Sequence, residues 1–337
     1  MRDKQENIDI FIALGNKLDH LSPDEFATWV TYATAQNKWF TESLIRQAIA
    51  NIRKLLTKDS LIEWSSQYKF SNNTPQRIGL VLAGNIPLVG FHDILSVLIS
   101  GHIAVIKASS QDSVLIQKVL DLLIEIQPNL ALQIELVEKI TNADAYIATG
   151  SDNTARYFEY YFSSKPNIIR KNRTSVAVLN GKEQENDFQL LGEDMFSYFG
   201  LGCRNVSKIY LPEGFDPTDL IKHLGKFSYL ADHNKYGNNY EYNRAIYLLK
   251  GIQYYDNGFF LLKEDESLVS PISVIYYSFY NNLADLQNYL NTNNEKIQII
   301  SSKDGWYEGS LSFGEAQKPS LFDYADNVDT MAFLEKL

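Results

Sequence analysis

The sequence predicts an α/β protein: a parallel sheet covered by helices on both faces, followed by a second α/β region. Three observations predict it. From Arg77 onward, short apolar runs alternate with amphipathic segments of helical length. Several runs are apolar throughout rather than every second residue, as in strands buried on both faces. The chain has 337 residues and is 45% hydrophobic, enough for two domains with a large shared interior and no disulfides.

The elements follow in order. The first 75 or so residues read as helices. Ser22-Pro23-Asp24-Glu25 has the spacing of a capping box with proline at the first helical position. Ser60-Leu61-Ile62-Glu63 repeats that spacing, and between them Leu44, Ile45, Ala48, Ile49, Ile52 and Leu55 share one helical face. Residues 77–84 (RIGLVLAG) read as a buried strand, and residues 87–100 as an apolar helix. Residues 102–108 are a second strand, 110–126 an amphipathic helix, 134–139 a third strand and 144–150 a fourth. A helix opens at Ser151, and residues 175–180 (SVAVLN) are expected as the fifth strand. In the second region, residues 205–212, 258–264, 273–280 and 296–301 are strand candidates, and 216–224 and 281–290 helix candidates. No Pro-, Gly- or Ser-rich linker, internal repeat or low-complexity tract interrupts the chain.

Composition narrows the function classes. A net charge of −10 argues against general nucleic-acid binding, which needs a basic face. Arg170, Lys171 and Arg173 form a local cationic cluster that suits either a small polyanion or a solvated loop. The start, MRDKQENIDI, lacks the apolar core of a signal peptide, and no stretch reaches the roughly 20 apolar residues of a membrane span. One cysteine forms no internal disulfide and no Cys-rich metal site, so the expected location is the reducing cytoplasm. The five histidines (His20, His92, His102, His223 and His233) show no metal-ligand spacing, and no metal is expected.

The single thiol is the leading candidate for chemistry. Cys203 lies in FGLGCRNVSKIYLP, with Arg204 beside it and Gly200 and Gly202 before it. A free thiol has a pKa near 8.5, so a cation and backbone N–H groups raise its small thiolate fraction. A buried, inert cysteine is the competing reading. Three strand–turn–helix junctions precede it, where ligands of such sheets bind. Asn85, in AGNIPLVG, has a side-chain amide suited to an oxyanion, or is a plain turn residue. These glycines do not spell GxGxxG. Lys107 suits a ribose or phosphate, while Ser109 or Ser110 suits a helix cap. Thr149-Gly150-Ser151 opens a helix whose N-terminus suits a phosphate or a polarised carbonyl. His233, in the polar stretch 231–244, is either a general acid or a loop histidine.

In this order these pieces resemble the aldehyde dehydrogenase superfamily, and within it the acyl-CoA reductase branch typified by the fatty-acid reductase of bacterial bioluminescence. The resemblance runs from about Arg77 to the C-terminus. Asn85-Ile86-Pro87-Leu88 is similar to the element whose asparagine helps form the oxyanion hole. Lys107-Ala108-Ser109-Ser110 is similar to the element that holds the adenosine ribose, and Thr149-Gly150-Ser151 to the turn near the nicotinamide. Cys203 and its following strand are similar to the catalytic cysteine and its strand, and residues 313–334 to the end of acyl-CoA reductases.

The departures carry information. Hydrolytic relatives place a water-activating glutamate where this chain has about Val178, within VAVLNGKE. Without that base a thioester on Cys203 is expected to resist fast hydrolysis and to exchange instead with an external thiol such as coenzyme A. Ser110 stands where NAD-preferring relatives often carry glutamate, which removes a repulsion toward a 2′-phosphate and slightly favours NADPH over NADH. Residues 267–273 (SLVSPIS) lack the ribose-binding glutamate in register, and Glu266 is one residue away from it.

The resemblance implies an aldehyde-dehydrogenase-like fold: a Rossmann-type parallel-sheet cofactor domain plus a second α/β catalytic domain. Residues 1–75 would be the N-terminal helical part of the cofactor domain, 76–182 its α/β body and 183–302 the catalytic domain. Residues 303–337 would return to the cofactor domain or form an oligomer interface. The implied reaction is NAD(P)H-dependent reduction of an acyl-CoA, or an acyl-carrier substrate, to the aldehyde, in a homo-oligomer. Another aldehyde or semialdehyde dehydrogenase of the superfamily, or a non-catalytic nucleotide- or acyl-binding scaffold, stays open.

Overall fold

A computed structural model describes residues 4–70 and 74–337. The ends of the first expected segment, residues 1–3 and 71–73, lie outside the described residues. The chain forms two compact units: Met1–Asn172 with Ser320–Leu337, and Arg173–Pro319.

The first unit opens with four helices, α1 (Lys4–Asp19), α2 (Pro23–Gln36), α3 (Glu42–Leu55) and α4 (Lys58–Ser66). Both bonds of the expected capping box are present at α2: Glu25 N–H donates to Ser22 Oγ, and Ser22 N–H donates to Glu25 Oε2. The second expected box is corrected. Thr57 caps α4 by accepting from the Ser60 N–H, so Ser60 lies inside the helix. On α3 the residues Ile45, Ala48, Ile49 and Ile52 are buried, the stripe that helical spacing dictates.

The sheet of this unit contains β1 (Arg77–Val81), β2 (Ile103–Lys107), β3 (Ile134–Leu136), β4 (Ala145–Thr149) and β5 (Asn167–Arg170), with α5 (Phe91–Ile99), α6 (Ser113–Ile126) and α7 (Asp152–Phe162) between them. The strand order is β3-β2-β1-β4-β5, and every pairing is parallel. The apolar helix begins at Phe91 rather than Pro87, because residues 85–90 form a turn. In that turn Leu88 takes a left-handed φ of 58°. The α1–α4 helices share one apolar interior with the sheet, α5 and α6, through side chains such as Phe11, Leu14, Ile45, Trp64, Ile78, Leu95 and Ile106.

The second unit contains β6 (Thr174–Val178), α8 (Glu185–Phe196), β7 (Val206–Pro212), α9 (Thr218–Lys222), α10 (Asn234–Leu249), β8 (Tyr255–Asp256), β9 (Leu261–Glu264), β10 (Val274–Tyr280), α11 (Leu283–Thr292), β11 (Ile297–Ser302) and β12 (Leu311–Ser312). The sheet order is β12-β11-β6-β7-β10-β9-β8, parallel except for the β8–β9 pair. Here the sequence expectation is corrected. Residues 175–180 do not extend the first sheet. Residues 175–178 lie in β6, which pairs with β7 and β11 in the second, and 179–180 follow its end. The strand beside β4 is β5 instead. Consequently the division between the units falls at Asn172/Arg173, ahead of the expected 182/183. All five residues of β6 are buried, and an apolar run of that kind carries no mark of which sheet it joins.

The chain then returns to the first unit, whose last helix is α12 (Thr330–Glu335). Trp64 Nε1 donates to Tyr324 Oη at 2.6 Å, and Tyr68 Oη donates to Asp329 Oδ2 at 2.8 Å. The expected tail 303–337 is therefore divided, with 303–319 in the second unit and 320–337 in the first. Among the described residues no helix is long and apolar enough to cross a membrane.

Candidate active site

The sequence-derived site residues divide between the two units. In the first, β1 pairs with β2 on one side and β4 on the other, with Val81 in register with both Lys107 and Ala148. The three junctions that follow these strands therefore open at one edge of one sheet. The chain order reverses between β1 and β4, the switch point where open parallel sheets leave a crevice. Asn85 is half-buried just past β1, Lys107 is exposed at the end of β2, and Thr149 and Gly150 are half-buried at the end of β4.

Local geometry fixes each junction. A Cβ on Gly84 would lie 2.6 Å from Ser109 Oγ, so glycine is what lets the first junction touch the second. The Ser109 carbonyl accepts from the Asp112 N–H, and Ser109 Oγ accepts from the Gln111 N–H. That makes Ser109 a turn residue rather than a helix cap, and Ser110 is exposed. The residue at the cap of α6 is Asp112, and its side chain caps nothing. Its Oδ2 accepts instead from the Leu88 N–H at 2.7 Å, tying the Asn85 turn to the start of α6. Burial raises the Asp112 carboxyl well above the usual carboxylate range, opposed by the Leu88 bond. Ser151 is the cap of α7 and accepts from the Thr154 N–H at 3.3 Å. Gly150 N–H donates to the Arg170 carbonyl at 3.2 Å.

The cationic cluster is otherwise employed. Arg170 is buried, with Nη1 2.6 Å from Asp93 Oδ2 and Nη2 donating to Thr330 Oγ1. Lys171 pairs with Glu159, and Arg173 donates to the carbonyls of Asn294 and Ile297. A cluster read as a polyanion site or solvated loop is thus a set of structural contacts.

In the second unit Cys203 is exposed, in the turn before β7. Its carbonyl accepts from Ser175 Oγ at 2.9 Å. The approach to it is strained: Tyr198, Phe199 and Gly200 take φ values of 52°, 58° and 75° in succession, the first two as buried aromatics. Asn205 holds this bend, donating from Nδ2 to the Ser197 and Asp194 carbonyls and accepting the Gly202 N–H at 2.8 Å. His233 caps α10, accepting at Nδ1 from the Tyr236 N–H, which leaves the ring proton on Nε2. Its ring centroid lies 4.3 Å from that of Phe199, a residue of the turn leading to Cys203. The stretch read as a polar loop around His233 is thus largely helix.

Val178, which the resemblance sets at about the position of the water-activating glutamate, is fully buried in β6, and its carbonyl accepts from Trp306 Nε1. Glu266 is exposed in the turn after β9. That turn is anchored by Lys208, a fully buried lysine of β7 whose Nζ donates to the Asp265 carbonyl. Burial pushes Lys208 down to about 8, opposed by Glu266, Asp265 and Glu264. Sequence reasoning passed over Asp112, Asp194 and Asn205. Asp194 had a visible signal, a carboxylate three residues after Leu191 on the apolar face of α8.

A family model described as acyl-CoA reductase (LuxC) matches residues 19–225, more than half of the 337-residue chain. Among curated proteins none matches. Solved structures of aldehyde dehydrogenases share the fold. One from Mycobacterium tuberculosis, complexed with NAD+, aligns with a TM-score of 0.65 at 15% identity over 89% of this chain and 73% of its own. An acetylating aldehyde dehydrogenase from Geobacillus thermoglucosidasius aligns at 0.64 and 10% identity over 98% and 90%. A variant of aldehyde dehydrogenase C from Pseudomonas syringae, complexed with NAD+ and octanal, aligns at 0.61 and 11% over 89% and 72%. The chain therefore belongs to the acyl-CoA reductase (LuxC) family, is an oxidoreductase, and shares the fold of aldehyde dehydrogenases.

Proposed function

We propose that the protein reduces a fatty acyl-CoA to its aldehyde through a thioester on Cys203. The observation that carries the reading is that the chain's sole cysteine is exposed while Val178, at about the position where a hydrolytic relative needs a carboxylate, is a buried valine. The donor set at the carboxyl edge of β2, β1 and β4 fits a nicotinamide dinucleotide: an exposed ammonium at Lys107, hydroxyls at Ser110 and Ser151, and a helix N-terminus at α7. When bound, the cofactor supplies the hydride. Lys107 would hold the adenosine ribose, Ser110 would tolerate a 2′-phosphate and so admit NADPH beside NADH, and Thr149-Gly150-Ser151 would lie near the nicotinamide. Glu266 is the candidate for the second ribose.

The chain's own steps follow from nucleophilic catalysis. The Cys203 thiolate attacks the thioester carbonyl, a C–S bond forms, and coenzyme A leaves as thiolate with the electron pair of the bond that breaks. The Cys203 backbone N–H and the Asn85 amide are the proposed donors to the oxyanion, each worth about 3 kcal/mol. After reduction at the carbonyl carbon, the resulting thiohemiacetal oxyanion collapses, breaks its bond to Cys203 and releases aldehyde and thiolate. Coenzyme A is thus a product of the acylation half. His233 remains a candidate proton donor to the departing group through its Nε2–H.

The test is oxidation of NADPH or NADH by the purified protein with acyl-CoAs of several chain lengths, beside Cys203→Ala. Cysteine-dependent oxidation with aldehyde released is expected. Turnover retained in Cys203→Ala, or none with any thioester, would sink the reading.

A further inference from the structure

Two hydrogen-bonded paths converge on the residues either side of Cys203, and one residue is common to both. Asp194, on α8, is fully buried. Its carboxylate accepts from the Gly314 N–H at 2.9 Å and the Ala316 N–H at 3.1 Å. The carbonyl of that same Ala316 accepts from Arg204 Nε at 2.5 Å. On the other side the Asp194 carbonyl accepts from Asn205 Nδ2 at 3.1 Å, and Asn205 Oδ1 accepts from the Gly202 N–H at 2.8 Å. The 314–316 turn has little freedom to adapt. Gly314 has a φ of 82°, and a Cβ there would come within 2.8 Å of Leu190.

We infer that Asp194 is a positioning residue for Cys203, its carboxylate holding Arg204 through the 314–316 turn and its main-chain carbonyl holding Gly202 through Asn205. The inference rests on the reading of Cys203 as the nucleophile and deepens it. A carboxylate suits the task because both oxygens accept, one for each N–H, whereas a protonated acid turns one of them into a donor. Burial pushes the Asp194 carboxyl up to about 7, opposed by the Gly314 and Ala316 bonds; Glu315 adds repulsion and Lys318 attraction. The arm toward Arg204, which hangs on the carboxylate, is therefore complete above that pH and weakened below it, while the arm through Asn205 hangs on the Asp194 main-chain carbonyl and does not titrate.

The experiment is the rate of iodoacetamide alkylation, which reports Cys203 alone because the chain has one cysteine. Wild type is compared with Asp194→Asn, which keeps one acceptor and cannot ionise. Near pH 8 the wild type is expected to react about tenfold faster, the effect of losing one hydrogen bond to a charged group, with the ratio falling toward one near pH 6. Placing Asp194→Asn in an Arg204→Ala background should remove most of its effect, the non-additivity of residues acting through one another. A ratio of one at every pH, a ratio independent of pH, or equal effects in both backgrounds would overturn the inference. Arg204 is only half-buried, so Arg204→Ala by itself serves if the Asp194 variant does not fold. It should slow alkylation alone, and an unchanged rate overturns the inference independently. Alkylation needs neither acyl-CoA nor cofactor. Protein that shows the ratio without turnover keeps the clamp and loses the nucleophile reading; protein that turns over without the ratio does the reverse.

Discussion

Replacing Asp112 by asparagine and by alanine separates two contributions of one buried carboxyl. Its Oδ2 accepts from the Leu88 N–H at 2.7 Å, its Oδ1 has no hydrogen-bond partner, and the residue is 1% exposed. Alanine removes the acceptor and orphans the buried Leu88 N–H, a loss of about 1–3 kcal/mol. Asparagine keeps an acceptor and removes the acid. The raised carboxyl pKa gives the second effect its sign. The unfolded chain releases the Asp112 proton near pH 3.9, the folded chain only at higher pH. Between the two, the folded state holds more protons, so the wild type loses stability as pH rises, and the asparagine variant has no such slope from this site. Urea titrations followed by tryptophan fluorescence, at about pH 5 and about pH 8, measure it. Asp112→Asn should gain on the wild type between the two pH values and match or exceed it at the higher one, while Asp112→Ala is weaker at both. An asparagine variant as weak as alanine, or one with the wild-type pH dependence, would refute the reasoning.

Three further outcomes are expected. Arg170→Met leaves Asp93 buried and unpaired, at a cost of about 3–5 kcal/mol, and adding Asp93→Asn should recover most of it in the same urea titrations. Lys208, pushed down to about 8, makes the wild type gain stability as pH rises from there toward the ordinary lysine pKa of about 10.4, because the unfolded chain then binds the extra proton. Lys208→Met should flatten that rise in the unfolding midpoint, and an unaltered slope would count against it. On the proposed cofactor reading, Ser110→Glu should raise KM for NADPH about tenfold or more by like-charge repulsion and leave NADH nearly unchanged in steady-state assays. Equal changes for both cofactors would count against Ser110 facing the 2′ position.

Where the structure departs from the sequence reading, the departures have physical causes. The strands at 77–84, 102–108, 144–150 and 205–212 were legible because buried parallel strands are apolar throughout. The β5 strand was missed because it is four residues long, follows Ser-Ser-Lys-Pro and ends in Arg170, a charge whose burial depends on Asp93 far away in sequence. The α10 helix was missed because its buried face is built from tyrosines and an asparagine rather than aliphatic residues. Tyr236, Tyr240, Asn243 and Tyr247 are its buried set, at helical spacing that was readable had tyrosine been counted as apolar. In the candidate site the lone thiol and the three junctions stood out from composition and turn residues. The Asp112 bond to Leu88 and the Asp194 contacts did not, since each joins residues remote in sequence.

What the sequence by itself determined is local. Helical faces repeat within a few residues, so the α3 stripe and the Ser22 capping box follow from neighbours alone, and a single cysteine is a matter of composition. Only the tertiary structure decided that β6 belongs to the second sheet, that Tyr198 and Phe199 are held in the left-handed region, and that Asp194 is desolvated yet doubly bonded. Strand pairing, backbone strain and the cost of burying a charge all depend on which distant segments exclude water from a residue. That information is absent from any window of the chain and exists once the chain has folded.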